Sequence, residues 1–288
     1  TINQSVSDKA ARYLYNQIIS DYRLNQDKNL VILTAYALGR LPGFQAENDA
    51  MTRKIMEITN DKKFVREDIS NISLAHLAII LTKGYSPSVK NEIFKTLENR
   101  ISIDGRGAFL SAYRNQWLWS YFETPAKDTA LLLKALVADK SNSPIMDKIL
   151  RWILRSRAKD GAWGSSNNTV SVIDALTDYL EWKRETESEF TLSLELDGKE
   201  KMQYVFDKDT ILNVFETFLP TADFTINTVN FLDFIKTNKN NLANTFYYDM
   251  LLKYFLPIDT IPPRDEGFAV TRELYRLDDE ENSSPLIE

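Results

Sequence analysis

The stretch KDTALLLKALVAD, from Lys127 to Asp139, decides how this chain folds. Alanine and leucine, which are strong helix formers, fill most of it, and apolar residues recur at intervals of three and four. The apolar side chains cover most of the helix circumference and not a single stripe. A helix of this kind is buried on several sides. The stretch therefore predicts an inner helix that is surrounded by other elements.

The same pattern occurs in three other stretches: NLVILTAYALGRL (29–41), SNISLAHLAIILT (70–82) and NNTVSVIDALTDY (167–179). Each carries an alanine followed by Leu or Ile at one register, and successive alanines are 41, 57 and 40 residues apart. More amphipathic helices, such as 87–99 and 144–157, lie between them. Helical hairpins repeated at this period form a solenoid or a closed ring, with the buried helices inside.

Several helix starts are marked by a hydroxyl residue that stands directly before a proline. This occurs at Ser86, Thr124 and Ser143. A serine or threonine side chain can cap the first turn, and proline is tolerated at the first helical position because its missing amide needs no intrahelical partner. We therefore expect each of the three residues to cap a helix.

Two loops also repeat, SIDGRGAF (102–109) and AKDGAWGS (158–165). Both place Asp-Gly before an aromatic residue, and Asp-Gly favours a turn with positive φ. We interpret Trp163 as an aromatic residue that folds back and packs over the end of its helix pair. The alternative is that its ring stacks on a ligand. Trp117 and Trp119 lie in another aromatic cluster, which belongs either to the core of the helical ring or to a partner-binding surface.

The sequence pattern changes near Thr186. Residues 189–206 alternate apolar and polar residues around Asp197-Gly198, which predicts a β-hairpin. We expect further strands at 209–218, 240–257 and 267–277, and a frayed acidic tail from Asp278. The fold class is therefore α+β and multidomain: a ring or solenoid of helical hairpins, then a smaller antiparallel β domain.

The composition narrows the classes of function. The net charge is −6 and the pI about 5.1, whereas a phosphate-binding surface needs clustered Lys and Arg, which argues against a nucleic-acid partner. No apolar run reaches the ~18 residues of a membrane span. Cysteine is absent, which excludes disulfides, thiolate metal sites and cysteine nucleophiles within the chain. No leader precedes the first helix-like residues, as in an excised or processed chain, and we take this as uninformative about the compartment.

The polar residues do not predict a catalytic, cofactor-binding or metal-binding set. His76 is the only histidine, lies within a repeat helix and is interpreted as structural, since no second histidine exists to share a metal ion. Asp128 opens its helix, where a carboxylate interacts favourably with the helix dipole. Asp174 is expected to face solvent or a polar ring centre. The acidic pairs at 278–281 are interpreted as a solvated tail.

These residues resemble the C-terminal part of alpha-2-macroglobulin family proteins of the bacterial kind. LVILTAYALGRL resembles the T-A-Y-x-L helix of that family, and KDTALLLKAL its D-T-A-x-x-L-x-A-L helix. The family's last inner helix and the loop before it are matched by Arg157, Gly161, Trp163, Ser165, Thr169, Ala175, Leu176 and Tyr179. A Y-Y-x-x-x-L-x-Y strand is matched by Tyr247, Tyr248, Leu252 and Tyr254. A following G-[FIL]-x-V-x-R-x-Y strand is matched by Gly267, Phe268, Val270 and Arg272, with Tyr275 one residue beyond the tyrosine position of the motif.

The resemblance implies a domain division. Residues 1–185 would be a thioester-domain-like α/α toroid that could lack its first helices. Residues 186–258 would belong to a CUB-like β-sandwich that the toroid interrupts. Residues 259–288 would be a connector and the first strand of a final macroglobulin-like domain. The aromatic residues expected in the core or at domain interfaces are Trp117, Trp119, Trp163, Tyr247, Tyr248 and Tyr254.

The resemblance also implies a function. Family members are broad-spectrum inhibitors that entrap endopeptidases, which implies a non-enzymatic host-defence role, a periplasmic, cell-envelope or secreted location, and neighbouring macroglobulin-like domains as partners. The family's reactive Cys-x-Glu-Gln thioester cannot form within a chain without cysteine, so it lies upstream of Thr1 or belongs to other branches of the family. Asn167-Asn168 also replaces the usual Gln-Asp of the last helix.

Two alternatives stay open at this point. One is an enzyme on the same ring architecture, such as a terpenoid cyclase or polysaccharide lyase, because AKDGAWG superficially resembles the Q-x-x-x-G-x-W loops of triterpene cyclases. The acid motif of cyclases and the zinc ligands of prenyltransferases are not found. The other is a passive scaffold or adhesion module, which fold-level analogy alone does not separate from an inhibitor.

Overall fold

The computed structural model describes residues 4–21, 26–41, 43–60, 69–84, 86–111, 124–240 and 246–255. The chain divides into two compact units, residues 1–245 and residues 246–288. The described helices of the first unit are α1 (Gln4–Ser20), α2 (Lys28–Leu38), α3 (Gln45–Asn60), α4 (Asn71–Leu81), α5 (Pro87–Asn99), α6 (Pro125–Ala138), α7 (Ile145–Arg155) and α8 (Ser166–Lys183).

The helices form hairpins around a row of inner helices. Each of α2, α4 and α6 packs against the outer helix that follows it in the chain, which is α3, α5 and α7 respectively. The inner helices also pack against one another in the order α2, α4, α6, α8. Arg40, just past α2, lies 3.8 Å from Asp174 of α8, so the first and last inner helices also approach each other. The α/α toroid expected from the sequence is confirmed.

Burial follows the expected division into inner and outer helices. In α6, every residue from Asp128 to Val137 is buried, and α4 is buried at all of its positions except Ile79. The outer helix α7 buries only one stripe, which includes Ile149, Trp152 and Ile153. A single core cluster connects side chains from all eight described helices. Helices α4 and α6 are therefore enclosed on several sides, as their continuous apolar sequence predicts. The expectation is wrong for α8, which buries only Asn168, Val172, Ala175 and Tyr179 and leaves Val170 and Ile173 more than half exposed.

All four inner helices begin with a side-chain cap. Asp27, Ser70, Thr124 and Ser165 each accept a hydrogen bond from the backbone amide three residues later, over 3.1–3.3 Å. The expected cap at Thr124 is confirmed. Ser86 has a φ of 38° and makes no capping hydrogen bond, and α7 begins after Pro144 with no side-chain cap. The expectation is therefore wrong for Ser86 and Ser143, whose helices are outer ones held by their apolar stripe.

The first Asp-Gly loop forms a small hairpin between α5 and α6. Strands β1 (Ile101–Asp104) and β2 (Gly107–Leu110) pair antiparallel, and the Asp104 carboxylate accepts the amides of Arg106 at 2.8 Å and Gly107 at 3.2 Å. Phe109 folds onto Trp152 of α7, with ring centroids 4.9 Å apart. Gly107, and not Gly105, takes the positive φ, because the chain turns back there against the α7 backbone.

A three-stranded antiparallel sheet follows the helices. Its strands are β3 (Phe190–Leu196), β4 (Lys199–Phe206) and β5 (Leu232–Asn238), in the order β4-β3-β5. The expected hairpin around Asp197-Gly198 is confirmed, and both turn residues have positive φ, as a tight two-residue turn requires. Alternate residues of β3 are buried, so one face of the sheet is covered.

Two strand predictions after β4 are wrong. Residues 209–218 contain turns and extended chain, because the Asp207 carboxylate accepts the amides of Asp209 and Thr210, both at 3.0 Å, and turns the backbone away from the sheet. Residues 246–255 form no strand, since no described segment pairs with their backbone. Conversely, β5 was not expected. The segments 112–123 and 256–288, which hold Trp117, Trp119 and the expected strand at 267–277, lie outside the described residues.

Candidate functional site

Charged side chains meet inside the ring of inner helices. Lys134, on α6, is only 5% exposed, and its Nζ lies 2.7 Å from Oδ2 of Asp174 and 2.5 Å from Oδ2 of Asp178, both on α8. The two carboxylates remain 44% and 37% exposed. The ammonium group therefore lies between two aspartates that are one helical turn apart, and this joins α6 to α8.

A second set of polar groups extends this network to α2 and α4. Arg40 donates from Nη1 to the Tyr36 hydroxyl at 2.8 Å, and its Nη2 approaches Asp174. Tyr36 in turn stacks on His76, with an interplanar angle of 17°. His76 is buried, and its Nδ1 has no hydrogen-bond partner in the described structure. Burial, followed by the charges of Lys127, Arg40 and Lys134, lowers the pKa of His76 to about 3.

The His76 ring is thus neutral at ordinary pH and packs as an aromatic, in line with its structural interpretation. Asp174 pairs with the buried Lys134 while its own side chain stays 44% exposed, so it contacts both the polar network and solvent. The sequence did not indicate that Lys134 is its partner. The available signal was a lysine in the middle of an otherwise apolar inner helix, since a fully buried lysine normally has a partner.

A cavity of about 180 Å³ adjoins this network. Its wall includes Tyr36, Gly39 and Arg40 from the end of α2, Asn48 and Thr52 from α3, and Ile79, Ile80 and Lys83 from the end of α4. Lys134, Ala138 and Asp178 complete it. The cavity therefore lies where the C-terminal ends of the inner helices meet an outer helix, and Arg40 and Lys83, which are exposed, stand at its rim.

A separate buried network holds the N-terminal ends of α4 and α6. The Asn71 side-chain amide donates to Asp128 at 2.9 Å and to the Ser111 carbonyl at 2.8 Å, and Arg100 donates to the Asn71 oxygen at 3.1 Å. Asp128 does lie in the first turn of its helix, and it is fully buried. The hydrogen bond between Asn71 and Asp128 joins two inner helices, so this network is structural.

Trp163 lies against the core at the start of α8. Its indole nitrogen donates to the Ile153 carbonyl at 2.7 Å, and its backbone amide donates to Thr169 at 3.2 Å. Gly161 has a φ of 83°, so the positive φ expected for this Asp-Gly turn is present. The loop thereby connects the end of α7 to the beginning of α8.

Three further aromatic candidates lie in the second unit, residues 246–288, whereas Trp117 and Trp119 are outside the described residues. Tyr247, Tyr248 and Tyr254 are 48%, 62% and 67% exposed within residues 246–255. Over the ranges that the structure describes, no group of three His, Cys, Asp or Glu side chains could hold a metal ion. Nor does any described helix have the length and apolar character needed to cross a membrane.

The inner helices are surrounded by outer helices, and the β1–β2 hairpin lies between α5 and α6. This arrangement is a helical toroid domain of the kind found in macroglobulins. The A-macroglobulin TED domain model matches residues 11–179, so the chain belongs to that family. An alpha-2-macroglobulin homolog from Nostoc sp. is 28% identical over 108 residues, which cover 38% of this chain and 5% of that relative. The chain thus matches a small part of the relative's length. The family resemblance and the α+β fold class expected from the sequence are confirmed.

Proposed function

We propose that this chain is the toroid and following β segment of a macroglobulin-type inhibitor that entraps endopeptidases. The observation that carries the proposal is the family match over the toroid, residues 11–179. Similarity to an alpha-2-macroglobulin homolog supports it. The family membership also favours a non-enzymatic role over the cyclase, lyase and scaffold alternatives.

The proposal includes the domain division at residues 185 and 258. Helix α8 ends at Lys183 and the first strand of the sheet begins at Phe190, which supports a boundary between them. The sheet would belong to a β domain shared with other parts of a longer protein. Residues 259–288 would lead into a further macroglobulin-like domain, and the location would be the periplasm, the cell envelope or the exterior.

Covalent capture is not part of the proposal for this segment. The thioester of the family joins a cysteine thiol to a glutamine, and the chain contains no cysteine. The segment would instead pack against neighbouring domains and move with them when a protease cuts elsewhere in the protein. Exposed aromatic residues such as Tyr248 and Tyr254 are the proposed contacts with those domains.

A comparison of large and small substrates tests the proposal. The full-length protein that contains this chain is incubated with trypsin, and cleavage of casein and of a small chromogenic peptide is measured. An entrapped protease keeps an open active site, but the surrounding inhibitor excludes large substrates. Casein cleavage should therefore fall at least tenfold while peptide cleavage is retained. The 288-residue chain alone is the control and should change neither rate. Equal rates on both substrates with the full-length protein would contradict the proposal.

A further inference from the structure

The cavity at the C-terminal ends of the inner helices contains polar groups that the protein itself does not use. Within the described residues, the side chains of Asn48, Thr52 and Lys83 make no hydrogen bond or ion pair, although all three line the cavity. Thr52 is only 6% exposed. Polar groups that face a cavity and have no protein partner are normally satisfied by water or by a ligand. Their convergence on one cavity, among apolar residues, indicates a binding site.

The charges around the cavity favour an anion. Arg40, Lys83 and Lys134 line it, against the single carboxylate of Asp178. The Lys134 ammonium group already contacts Asp178 and its neighbour Asp174 at 2.5 and 2.7 Å, which offsets much of their negative charge. Arg40 also approaches Asp174 at 3.8 Å, so the three cations face two carboxylates and one net positive charge remains around the cavity.

The available donors also match an oxyanion. Arg40 has five N–H donors, of which the Tyr36 hydroxyl accepts one within the described residues. A guanidinium group binds the paired oxygens of a carboxylate or phosphate through two parallel hydrogen bonds. The Lys83 ammonium, the Asn48 amide and the Thr52 hydroxyl are further donors around the same space.

We infer that this cavity binds a small oxyanion, a carboxylate or phosphate group, through Arg40 and Lys83 at its rim and Asn48 and Thr52 in its wall. A volume of about 180 Å³ is enough for such a group with a few ordered waters. The inference is independent of the proposed protease entrapment.

Thermal unfolding of the 288-residue chain tests the inference. The chain is titrated with sodium phosphate or sodium acetate against sodium chloride at the same ionic strength and pH. A ligand that binds only the folded state raises the unfolding temperature, and the stabilisation grows with the logarithm of 1 + [L]/Kd. A rise with phosphate alone identifies a phosphate site, a rise with acetate alone a carboxylate site, and a rise with both a general oxyanion site. No rise beyond that in sodium chloride would overturn the inference.

Two variants assign the effect to the cavity. Lys83→Met removes an exposed charge and Thr52→Val removes the hydroxyl at nearly constant shape, so both should fold. The apparent Kd should increase at least tenfold for Lys83→Met and severalfold for Thr52→Val. Lys159→Met, which removes an exposed lysine that does not line the cavity, is the matched control and should leave the Kd unchanged. Weakening in either cavity variant supports the site, and unchanged binding in both would overturn it.

Discussion

The imidazole of His76 lies flat against the phenol ring of Tyr36, with ring centroids 3.9 Å apart. This contact joins two inner helices inside a toroid. It also places a titratable ring where protonation would bury a charge beside three cations. The stacked imidazole therefore stabilises the fold only while it is uncharged.

His76 should make the stability of the chain depend on pH below 6.5. Its pKa is about 3 in the folded state and 6.5 for an exposed imidazole, so the unfolded state binds more protons between those limits. Stability is then complete above pH 6.5 and falls as the pH drops toward 3. At pH 5 the loss from this residue is about 2 kcal/mol relative to pH 7.5.

Urea unfolding at pH 7.5 and 5.0 measures this loss, with His76→Phe as the matched variant. Phenylalanine preserves the stacking on Tyr36 and does not titrate, so the variant should lose about 2 kcal/mol less than the natural chain. Because His76 is the only histidine, the imidazole NMR signal should also show no titration between pH 5 and 8. Titration near pH 6.5 in the folded chain would contradict the prediction.

Asp174 and Asp178 should contribute to the free energy of unfolding in a non-additive way, because either one can neutralise Lys134. Either Asp174→Asn or Asp178→Asn leaves one carboxylate beside the ammonium and should cost about 1 kcal/mol or less, because both carboxylates are partly exposed. The double variant leaves a 5% exposed cation without a counter-charge and should cost about 3 kcal/mol.

Adding Lys134→Met to the double variant supplies the control. Methionine fills a similar volume without a charge, so the triple variant should recover most of the stability, as measured by urea unfolding. Additive single and double effects, or no recovery in the triple variant, would show that the network does not depend on neutralising Lys134.

Gly107 should be irreplaceable at the hairpin. A Cβ there would lie 2.3 Å from the Lys148 carbonyl oxygen and 2.9 Å from the Trp152 nitrogen, and its φ is 147°. Gly107→Ala should therefore lower the free energy of unfolding by about 3 kcal/mol or more. Gly105→Ala, in the same hairpin, has open space around the added methyl group and should change it by less than about 0.5 kcal/mol. Similar effects at the two glycines would refute the close packing of the hairpin on α7.

The indole nitrogen of Trp163 should contribute to stability separately from its ring. Trp163→Phe retains an aromatic ring but removes the donor to the Ile153 carbonyl, and it should cost about 1–2 kcal/mol in thermal or urea unfolding. Trp182→Phe is the control, since within the described residues that indole makes no hydrogen bond. The prediction is wrong if the two substitutions have equal effects.

The toroid was predictable because its signals are local and repeated. A continuously apolar helix such as the one around Ala135 is stable only with neighbours on several sides, and the helix around Ala175 shares its alanine register but buries a single stripe. The tight turn at Asp197-Gly198 was predictable for the same reason, since two residues determine its geometry. The resemblance to the macroglobulin family added the order of the elements.

The errors have two physical origins. Strands depend on partners that are distant in sequence, so β-branched and aromatic content suggested a strand at 209–218, where the Asp207 side chain instead turns the chain, and left β5 undetected. The central site depends on residues 40 or more positions apart, and the partners of Lys134 cannot be read from its own helix. The cavity beside it has no sequence pattern.

The junction between the last inner helix and the sheet has a mechanical consequence. Arg184 takes a left-handed conformation with a φ of 55°, a 3-10 turn follows at Glu185–Glu187, and Glu185 in the turn and Ser188 after it are buried. Beyond β5, Lys239 donates its amide to the Glu189 carbonyl at 2.8 Å and Asn240 its side chain to the Glu187 carbonyl at 2.9 Å. Because Asn238 pairs with Phe190, both residues lie at the end of the sheet that the linker enters, and they hold the linker there. A six-residue linker held in this way does not allow the sheet to rotate freely. A rotation of the sheet would therefore also move α8.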